Sequence, residues 1–288
     1  MDHRILVPVI TPFKEDETVD YVALKRLVRH LLDSGAEGIY AGGSSAECFL
    51  LSEEERQKTL EAVIEAAQGA FVVANIGSVG TRKAEMLAMH AAQAGADAIS
   101  SVPPFYFRFS FEEIKNYYHD LSHKTKLPMM IYNIPATTGS DFTVAQLENL
   151  LFDECVQYIK FTDTDFFMLE QIKSHTGKFV YSGKDEDFLS GLAAGADGGI
   201  GSTFNIMLKK FIEVLNCWKD SKIKQAQKVQ HSINEVVRCV CECGLIESIK
   251  YVLGLQGIDC GHARRPFKQV GEAEQQKLKS VLLREGVL

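Results

Sequence analysis

The residue that most needs a chemical explanation is Lys160, which stands near the end of an apolar run and just before a polar turn. The run 155–161 predicts a β-strand, and residues 162–165 predict the turn that follows it. An ammonium group is costly to bury in a packed interior. Such a lysine therefore extends to water, pairs with a carboxylate, or serves as an amine nucleophile. The neighbouring motifs must decide among these three.

A turn of small residues, 42–45, follows another short apolar run. Its backbone N–H groups and the hydroxyls of Ser44 and Ser45 could hold a carboxylate or a phosphate. The plainer interpretation is a tight turn with no ligand. The turn lacks the Gly-Lys-Ser/Thr ending of a nucleotide-binding loop, so a ligand carboxylate fits better than a nucleotide.

Tyr132 ends the apolar run 128–131, where an amphipathic tyrosine with its hydroxyl in water would also be ordinary. Its strand precedes that of Lys160, and neighbouring parallel strands would place the two side chains together. A phenol beside an amine nucleophile can move protons for it. The pair indicates more than either residue alone.

Further polar residues follow the later strands: Thr162, the acidic pair Asp185 and Glu186, and Ser202. The acidic pair could simply be capping charges at a helix start, where the helix dipole favours them. Alternatively, carboxylates and hydroxyls at this place would exchange hydrogen bonds with a polyhydroxylated substrate.

These residues share one working face if the chain is a (β/α)₈ barrel. Strand patterns alternate with helical patterns eight times, at 5–10, 38–41, 71–75, 98–102, 129–132, 156–161, 179–181 and 198–201. A helix between each neighbouring pair requires parallel strands, and the sites of such barrels lie at the carboxyl ends of the strands. We expect a barrel over residues 1–218 and a helical extension over 219–288 packed on it.

Local signals mark the ends of the helices. Three capping boxes are present, at Ser52/Glu55, Ser110/Glu113 and Thr143/Gln146. Glycines suited to helix C-termini stand before three of the strands, at Gly35, Gly95 and Gly195. After the eighth strand only helices are predicted, at 205–218, 222–244, 246–255 and 272–284.

Composition excludes several classes of function. The net charge of −7, without a long basic cluster, disfavours a nucleic-acid or membrane surface. The first residues are too briefly apolar for a signal segment, and the seven cysteines form no C-x-x-C pair, so we expect a cytoplasmic protein with reduced thiols. The histidines stand singly along the chain, and Cys239, Cys241 and Cys243 lie two apart on a predicted helix. No metal site is expected.

Taken together, the motifs resemble those of the pyruvate-dependent class I aldolases, the superfamily of dihydrodipicolinate synthase and N-acetylneuraminate lyase, over essentially the full length. The segment 42–47, Gly-Gly-Ser-Ser-Ala-Glu, is similar to the carboxylate loop of the superfamily. Tyr132-Asn-Ile-Pro is similar to its Tyr-Asn-x-Pro motif, and Ile159-Lys160 to its Schiff-base segment. The chain departs from the pattern at three positions: Ser45 replaces a threonine, Ala46 replaces a glycine, and Lys184 places a cation beside Asp185 and Glu186.

The resemblance implies that Lys160 forms an imine with a 2-keto acid and that Tyr132 shuttles the proton. It implies no metal or organic cofactor. Ser44 and Ser45 would hold the substrate carboxylate, and the hydroxyls of a sugar-derived substrate would be bound by Thr162, Gly183, Asp185, Glu186 and Ser202. Tyr106 would complete the site of a neighbouring subunit in a homotetramer.

Within the superfamily, residues 181–205 resemble the N-acetylneuraminate lyases, which implies retro-aldol cleavage to pyruvate and N-acetylmannosamine. The dihydrodipicolinate synthases usually carry an arginine where this chain has Thr137. Two alternatives stay open: another aldolase of the superfamily, such as a 2-keto-3-deoxy sugar acid aldolase or a dihydrodipicolinate synthase, and a non-catalytic barrel that binds a keto acid.

Overall fold

Eight short parallel strands follow one another around a barrel in a computed structural model that describes residues 5–288. The strands are β1 (Leu6–Pro8), β2 (Gly38–Ala41), β3 (Phe71–Asn75), β4 (Ala98–Ser101), β5 (Met129–Asn133), β6 (Val156–Phe161), β7 (Phe179–Ser182) and β8 (Gly198–Gly199). Each strand pairs with the next, and a parallel bridge from Ile5 to Gly199 joins the first strand to the last. The predicted (β/α)₈ barrel is confirmed.

Helices surround the barrel and extend beyond it. They are α1 (Tyr21–Asp33), α2 (Glu53–Ala67), α3 (Thr81–Ala94), α4 (Phe111–Thr125), α5 (Pro135–Thr138), α6 (Val144–Leu151), α7 (Phe166–Thr176), α8 (Phe188–Ala193), α9 (Phe204–Lys219), α10 (Ile223–Glu242), α11 (Leu245–Leu255) and α12 (Glu272–Arg284). The loop after β2 contains two 3₁₀ turns, Ser44–Ala46 and Cys48–Leu50. None of the helices within residues 5–288 combines the length and apolar character that crossing a membrane requires.

The local signals at the helix ends are confirmed. All three capping boxes form, with side chain and backbone bonded reciprocally at the starts of α2, α4 and α6. Gly35, Gly95 and Gly195 have φ of +103°, +93° and +102°, the left-handed conformation that glycine adopts at little steric cost.

The first and last strands are shorter than predicted. β1 covers only Leu6–Pro8 of the predicted 5–10, although Val9 N still donates to the Tyr40 carbonyl at 3.2 Å. β8 covers only Gly198–Gly199 of the predicted 198–201. Beyond it the chain passes close to Asp185 at Gly201, where a Cβ would lie 1.6 Å from Asp185 Oδ1. The four helices after β8 agree with the prediction to within two residues at each end.

The alternation of side chains along β6 orients the lysine. Ile159 and Phe161 belong to the apolar layer between strands and helices, whereas Tyr158 packs with the barrel interior. Because successive side chains of a strand point to opposite faces, Lys160 points into the barrel with Tyr158.

The division of the chain into a barrel over residues 1–218 and a helical extension over 219–288 stays a prediction.

Candidate active site

Lys160 lies near the carboxyl end of β6, in register with Tyr132 of β5 and Tyr181 of β7. Only 4% of the residue is exposed. Its Nζ lies 4.1 Å from the centroid of the Tyr132 ring and 5.0 Å from that of Tyr40. Within residues 5–288, no carboxylate oxygen approaches Nζ to 4.0 Å. The amine therefore neither reaches bulk water nor pairs with an acid, and it is held against aromatic rings.

Tyr40 supports this arrangement from β2 and was not anticipated from the sequence. Its ring meets that of Tyr132 edge to face, with centroids 6.2 Å apart. The Tyr40 hydroxyl donates to Ser100 Oγ at 2.9 Å, and complete burial raises the pKa of Tyr40 well above its ordinary value. Tyr40 thus stays neutral and fixed, and Tyr132 is the better placed phenol to carry a proton for Lys160. The inward position of Tyr40 on a period-two strand is the signal that could have revealed it.

The turn after β2 and the loop after β8 meet beside the barrel mouth. Ser45 is buried, and its Oγ lies 2.6 Å from Ser202 Oγ. Ser44 is exposed and opens the first 3₁₀ turn. The leading N–H groups of such a turn have no acceptor within it, so they are available to an anion. The structure thus brings Ser45 and Ser202 together and leaves Ser44 at the surface beside them.

The alanine at position 46 introduces no backbone strain. Positive φ occurs in this loop at Gly42 (+69°) and Glu47 (+56°), whereas Ala46 lies inside the right-handed 3₁₀ turn. The residue with the unusual conformation is therefore Glu47, which separates the two 3₁₀ turns. Its side chain explains how that conformation is held.

Glu47 anchors the loop to α11 and to the segment that follows α11. Its Oε1 lies 2.8 Å from Lys250 Nζ of α11, with both side chains fully buried, and its Oε2 accepts from Arg264 N at 2.7 Å. Lys250 also donates to the His262 carbonyl at 2.9 Å. Burial raises the pKa of Glu47 and lowers the pKa of Lys250, although the opposite charges favour the ion pair. Sequence reasoning placed Glu47 at the rim but missed its partners.

Asp185 is 7% exposed and contacts the start of α9 rather than its own helix. Its Oδ2 accepts from Thr203 N at 2.7 Å and from Thr203 Oγ1 at 2.6 Å. Because α8 begins only at Phe188, the interpretation of Asp185 as a cap of the following helix is wrong, and the carboxylate instead faces the beginning of α9. Burial raises the pKa of Asp185 from 3.8 to about 6.

Two buried oxygens in this region have no hydrogen-bond partner among the described residues, Thr162 Oγ1 and Asp185 Oδ1. Gly183 approaches Thr162 so closely that a Cβ would lie 1.9 Å from Oγ1. Glu186 is partly exposed and pairs with Lys184 at 3.3 Å. The cation at position 184 therefore balances Glu186 and leaves the Asp185 carboxylate to its buried contacts.

Tyr106 stands apart from the central tyrosines. It is 85% exposed with a φ of +80°, and its ring packs against Phe107 with centroids 5.0 Å apart. It lines a cavity of about 690 Å³ together with residues 136–142. Within this chain the Tyr106 side chain lies at the surface.

A second cavity, of about 320 Å³, adjoins the small-residue turn. Ser44 and Thr137 line it together with aromatic side chains such as Phe49, Phe105 and Phe267. Among the described residues that line this cavity there is no lysine or arginine. The space beside Ser44 therefore suits neutral groups better than a second carboxylate.

Comparison with known proteins gives consistent results. The N-acetylneuraminate lyase of Rhizobium meliloti (strain 1021) is 39% identical over 276 residues, which cover 95% of this chain and 92% of the relative. The crystal structure of N-acetylneuraminate lyase from Fusobacterium nucleatum superposes with a TM-score of 0.94 at 32% identity, covering 99% of both chains. A dihydrodipicolinate synthase structure from Bacillus anthracis has a TM-score of 0.95 at 26% identity, covering 98% of both chains.

The model of the dihydrodipicolinate synthetase family matches residues 1–285. That span includes the barrel, the strand that carries Lys160, and all of the C-terminal helices. The chain therefore belongs to the dihydrodipicolinate synthetase family.

Proposed function

We propose that this chain is a class I aldolase that cleaves N-acetylneuraminate to pyruvate and N-acetylmannosamine. The observation that carries the proposal is the buried Lys160 amine, held 4.1 Å from the Tyr132 ring centroid with no carboxylate pairing it among the described residues. The relatives named N-acetylneuraminate lyase, similar over nearly the whole chain, support the choice of substrate.

In the proposed reaction the unprotonated Lys160 amine attacks the C2 ketone of the open-chain substrate. Loss of water from the resulting carbinolamine gives an imine, which is protonated at nitrogen. Removal of the proton from the C4 hydroxyl then allows the C3–C4 bond to break, and its electron pair moves into the iminium group. The aldehyde of the amino sugar leaves, and an enamine of pyruvate stays on the lysine.

Protonation of the enamine at C3 and hydrolysis of the imine then release pyruvate and regenerate Lys160. Tyr132 is the proposed carrier of the proton between the C4 hydroxyl and the reacting centre, because its phenol lies beside the amine and Tyr40 is committed to Ser100. The iminium group itself accepts the electrons, so the proposed mechanism needs no metal and no organic cofactor.

The two ends of the substrate fit different parts of the site. Its carboxylate would bind at Ser44 and Ser45, where the first N–H groups of the 3₁₀ turn lack acceptors within the turn. Its hydroxyls would bind the Thr162 and Asp185 oxygens that have no partner among the described residues. Ser202, in contact with Ser45, would lie between the two ends.

Gly183 and Glu186 complete the proposed contacts to the sugar-derived part. Gly183 leaves room next to Thr162, and its backbone is partly accessible. Glu186 lies at the surface beside Lys184, where its carboxylate can accept from the outer hydroxyls of a long polyol chain. Asp185 contributes from the buried side.

The cavity next to Ser44 favours the lyase over a dihydrodipicolinate synthase. A synthase would have to hold a second carboxylate near Thr137, and the described residues of this cavity include no cation to do so. An N-acetylated sugar acid carries a single carboxylate, and its other groups are neutral. A lining without lysine or arginine among the described residues is thus consistent with the proposed substrate.

The proposal includes a cytoplasmic homotetramer in which Tyr106 reaches the site of a neighbouring subunit. The exposed ring and the positive φ of Tyr106 support this role. Burying an exposed aromatic ring against a partner subunit would stabilise it and would offset the cost of its strained backbone. Sedimentation of the purified protein as a monomer would contradict it.

The test is release of pyruvate from N-acetylneuraminate, coupled to lactate dehydrogenase. Lys160→Ala should abolish the release, and Lys58→Ala, at an exposed lysine on α2, should leave it unchanged. In parallel, borohydride reduction with pyruvate should add one carboxyethyl group at Lys160. An adduct without cleavage of N-acetylneuraminate would indicate another aldolase of the family. Neither an adduct nor cleavage would indicate a binding protein.

A further inference from the structure

Three side chains of the kinds that bind transition metals converge at the end of the barrel opposite to the proposed active site. A ring nitrogen of His123, the thiol of Cys155 and a carboxylate oxygen of Asp153 lie within 4.8 Å of one another. His123 is in the last turn of α4, and the other two lie between α6 and β6. Since β6 begins at Val156 and carries Lys160 near its far end, the cluster is remote from the proposed catalytic residues.

The imidazole of His123 is oriented toward the thiol. Its Nδ1 lies 3.0 Å from the backbone carbonyl oxygen of His119, an arrangement that places the proton on Nδ1 and the lone pair on Nε2. Nε2 lies 4.0 Å from Cys155 Sγ. Tetrahedral Zn²⁺, with bonds of about 2.0 Å to nitrogen and 2.3 Å to sulfur, would separate these atoms by about 3.5 Å. The two side chains need to approach each other by only a few tenths of an ångström to bind one ion, a movement on the order of side-chain thermal motion.

The carboxylate of Asp153 is held in place by a local turn. Its Oδ1 accepts from the backbone N–H of Cys155 at 2.9 Å. Its Oδ2 faces the His123 ring and lies 3.9 Å from Nδ1. One oxygen is thus used to fix the carboxylate, and a carboxylate oxygen stays within 4.8 Å of the ligand atoms of His123 and Cys155.

His119 can supply a fourth ligand. It precedes His123 by four residues on α4, and the two rings stack with centroids 4.0 Å apart and an interplanar angle of 23°. Side chains four apart on a helix lie on the same face, which is the spacing of paired histidine ligands in helical metal sites. The His119 side chain is exposed, so it can rotate toward a metal bound by His123 without disturbing the core.

We propose that His119, His123, Asp153 and Cys155 bind one Zn²⁺ ion and so connect the end of α4 to the start of β6. Imidazole and thiolate ligands select Zn²⁺ over Mg²⁺ or Ca²⁺, which prefer oxygen ligands alone. The ion would link the segments that lead into β5 and β6, the strands that carry Tyr132 and Lys160. Its role is to stabilise the barrel, and the aldolase step does not involve it.

The test uses the full-length protein, treated with a chelator and then titrated with Co²⁺ as a spectroscopic probe of the zinc site. We expect one equivalent of Co²⁺ to bind, with a thiolate-to-cobalt charge-transfer band and the intense visible bands of tetrahedral Co²⁺, and Zn²⁺ to displace it. Cys155→Ser should remove the charge-transfer band, and His123→Ala should weaken binding by roughly tenfold or more. Cys241→Ser, at an exposed thiol on α10, is the matched control and should change neither result.

Zinc should also raise the Tm of the wild type and of Cys241→Ser but not that of Cys155→Ser, while pyruvate release stays the same in all three. Absence of the charge-transfer band in the wild type would overturn the proposal. A band that persists in Cys155→Ser and disappears in Cys241→Ser would also overturn it, because the metal would then be bound elsewhere.

Discussion

The buried ion pair between Glu47 and Lys250 allows a quantitative prediction about how the C-terminal extension supports the proposed carboxylate loop. The perturbation is Lys250→Met, which keeps an apolar chain of similar length and removes the charge together with the hydrogen bond to the His262 carbonyl. Both side chains are fully buried and their charged atoms lie 2.8 Å apart. The substitution therefore leaves the Glu47 carboxylate in the interior without its cation.

Breaking a buried pair in this way typically destabilises a protein by about 3–5 kcal/mol, because the remaining charge loses its partner but not its desolvation penalty. Burial already raises the pKa of Glu47 and lowers that of Lys250, so desolvation outweighs the attraction even in the intact pair. Removing both charges should then be mild. We expect the free energy of unfolding of the double variant, Glu47→Gln with Lys250→Met, to lie within about 1–2 kcal/mol of that of the wild type.

The pH dependence of Lys250→Met follows from the same carboxylate. Without the lysine, the pKa of Glu47 in the folded protein rises further above its ordinary value of 4.5. The folded state then binds the proton more tightly than the unfolded state, so stability is greatest at acidic pH and is lost as the pH rises through the folded pKa. The deficit relative to the wild type should be larger at pH 8 than at pH 5.

The measurement is equilibrium unfolding in urea of the wild type, both single variants and the double variant at these two pH values. Each variant that still folds should also show a higher KM with a smaller change in kcat. The reason is that Ser44 and Ser45, the proposed carboxylate ligands, precede Glu47 in the same loop. A Lys250→Met variant as stable as the wild type, or a double variant less stable than either single one, would refute the reasoning.

Three further predictions concern the site itself. Tyr132→Phe should lower kcat by roughly a hundredfold or more while borohydride still traps pyruvate on Lys160, and loss of trapping would contradict a role in proton transfer alone. The raised pKa of Asp185, about 6, means that folding favours the protonated acid over the carboxylate. As the pH rises from 3.8 to about 6, the wild type should therefore lose stability that Asp185→Asn keeps. The difference in the free energy of unfolding should reach up to about 3 kcal/mol, measured by unfolding at a series of pH values. Below pH 6 the wild-type KM should rise while that of the Asn variant stays level, and equal profiles would exclude a role for the carboxylate. Gly183→Ala should destabilise by about 1–3 kcal/mol through overlap with Thr162, and Thr162→Ala in the same chain should restore part of the loss in thermal unfolding, because it removes the contact with Oγ1 at 1.9 Å and leaves that with Cβ at 2.9 Å.

Much of the barrel was predictable because its signals are local. Each strand and helix has its own hydrophobic period, and the capping boxes at Ser52, Ser110 and Thr143 act within one turn of the chain. The proximity of Tyr132 and Lys160 was also predictable, since consecutive parallel strands are neighbours in such a barrel. The exact ends of β1 and β8 were not predictable, because they depend on barrel closure and on the approach of Asp185 to Gly201.

The contacts of Glu47 and Asp185 show where local reasoning ends. Both carboxylates stand in polar motifs that suggested a ligand or a helix cap. Glu47 instead pairs with Lys250 from the far end of the chain, and Asp185 accepts from Thr203 at the start of α9. No local period specifies such partners, because they follow from which loops the folded barrel brings to the same rim.

The sequence by itself determined the strand and helix alternation, the parallel barrel and the amine with its neighbouring phenol, because hydrophobic period and strand order act over short distances along the chain. Only the tertiary structure decided that Ser45 meets Ser202 across 157 residues, and that His123, standing singly in the sequence, faces Cys155 and Asp153. The physical reason is that these contacts arise from closure of the barrel and packing of its connecting segments. Their energy depends on distances in space, which residue spacing along the chain does not encode.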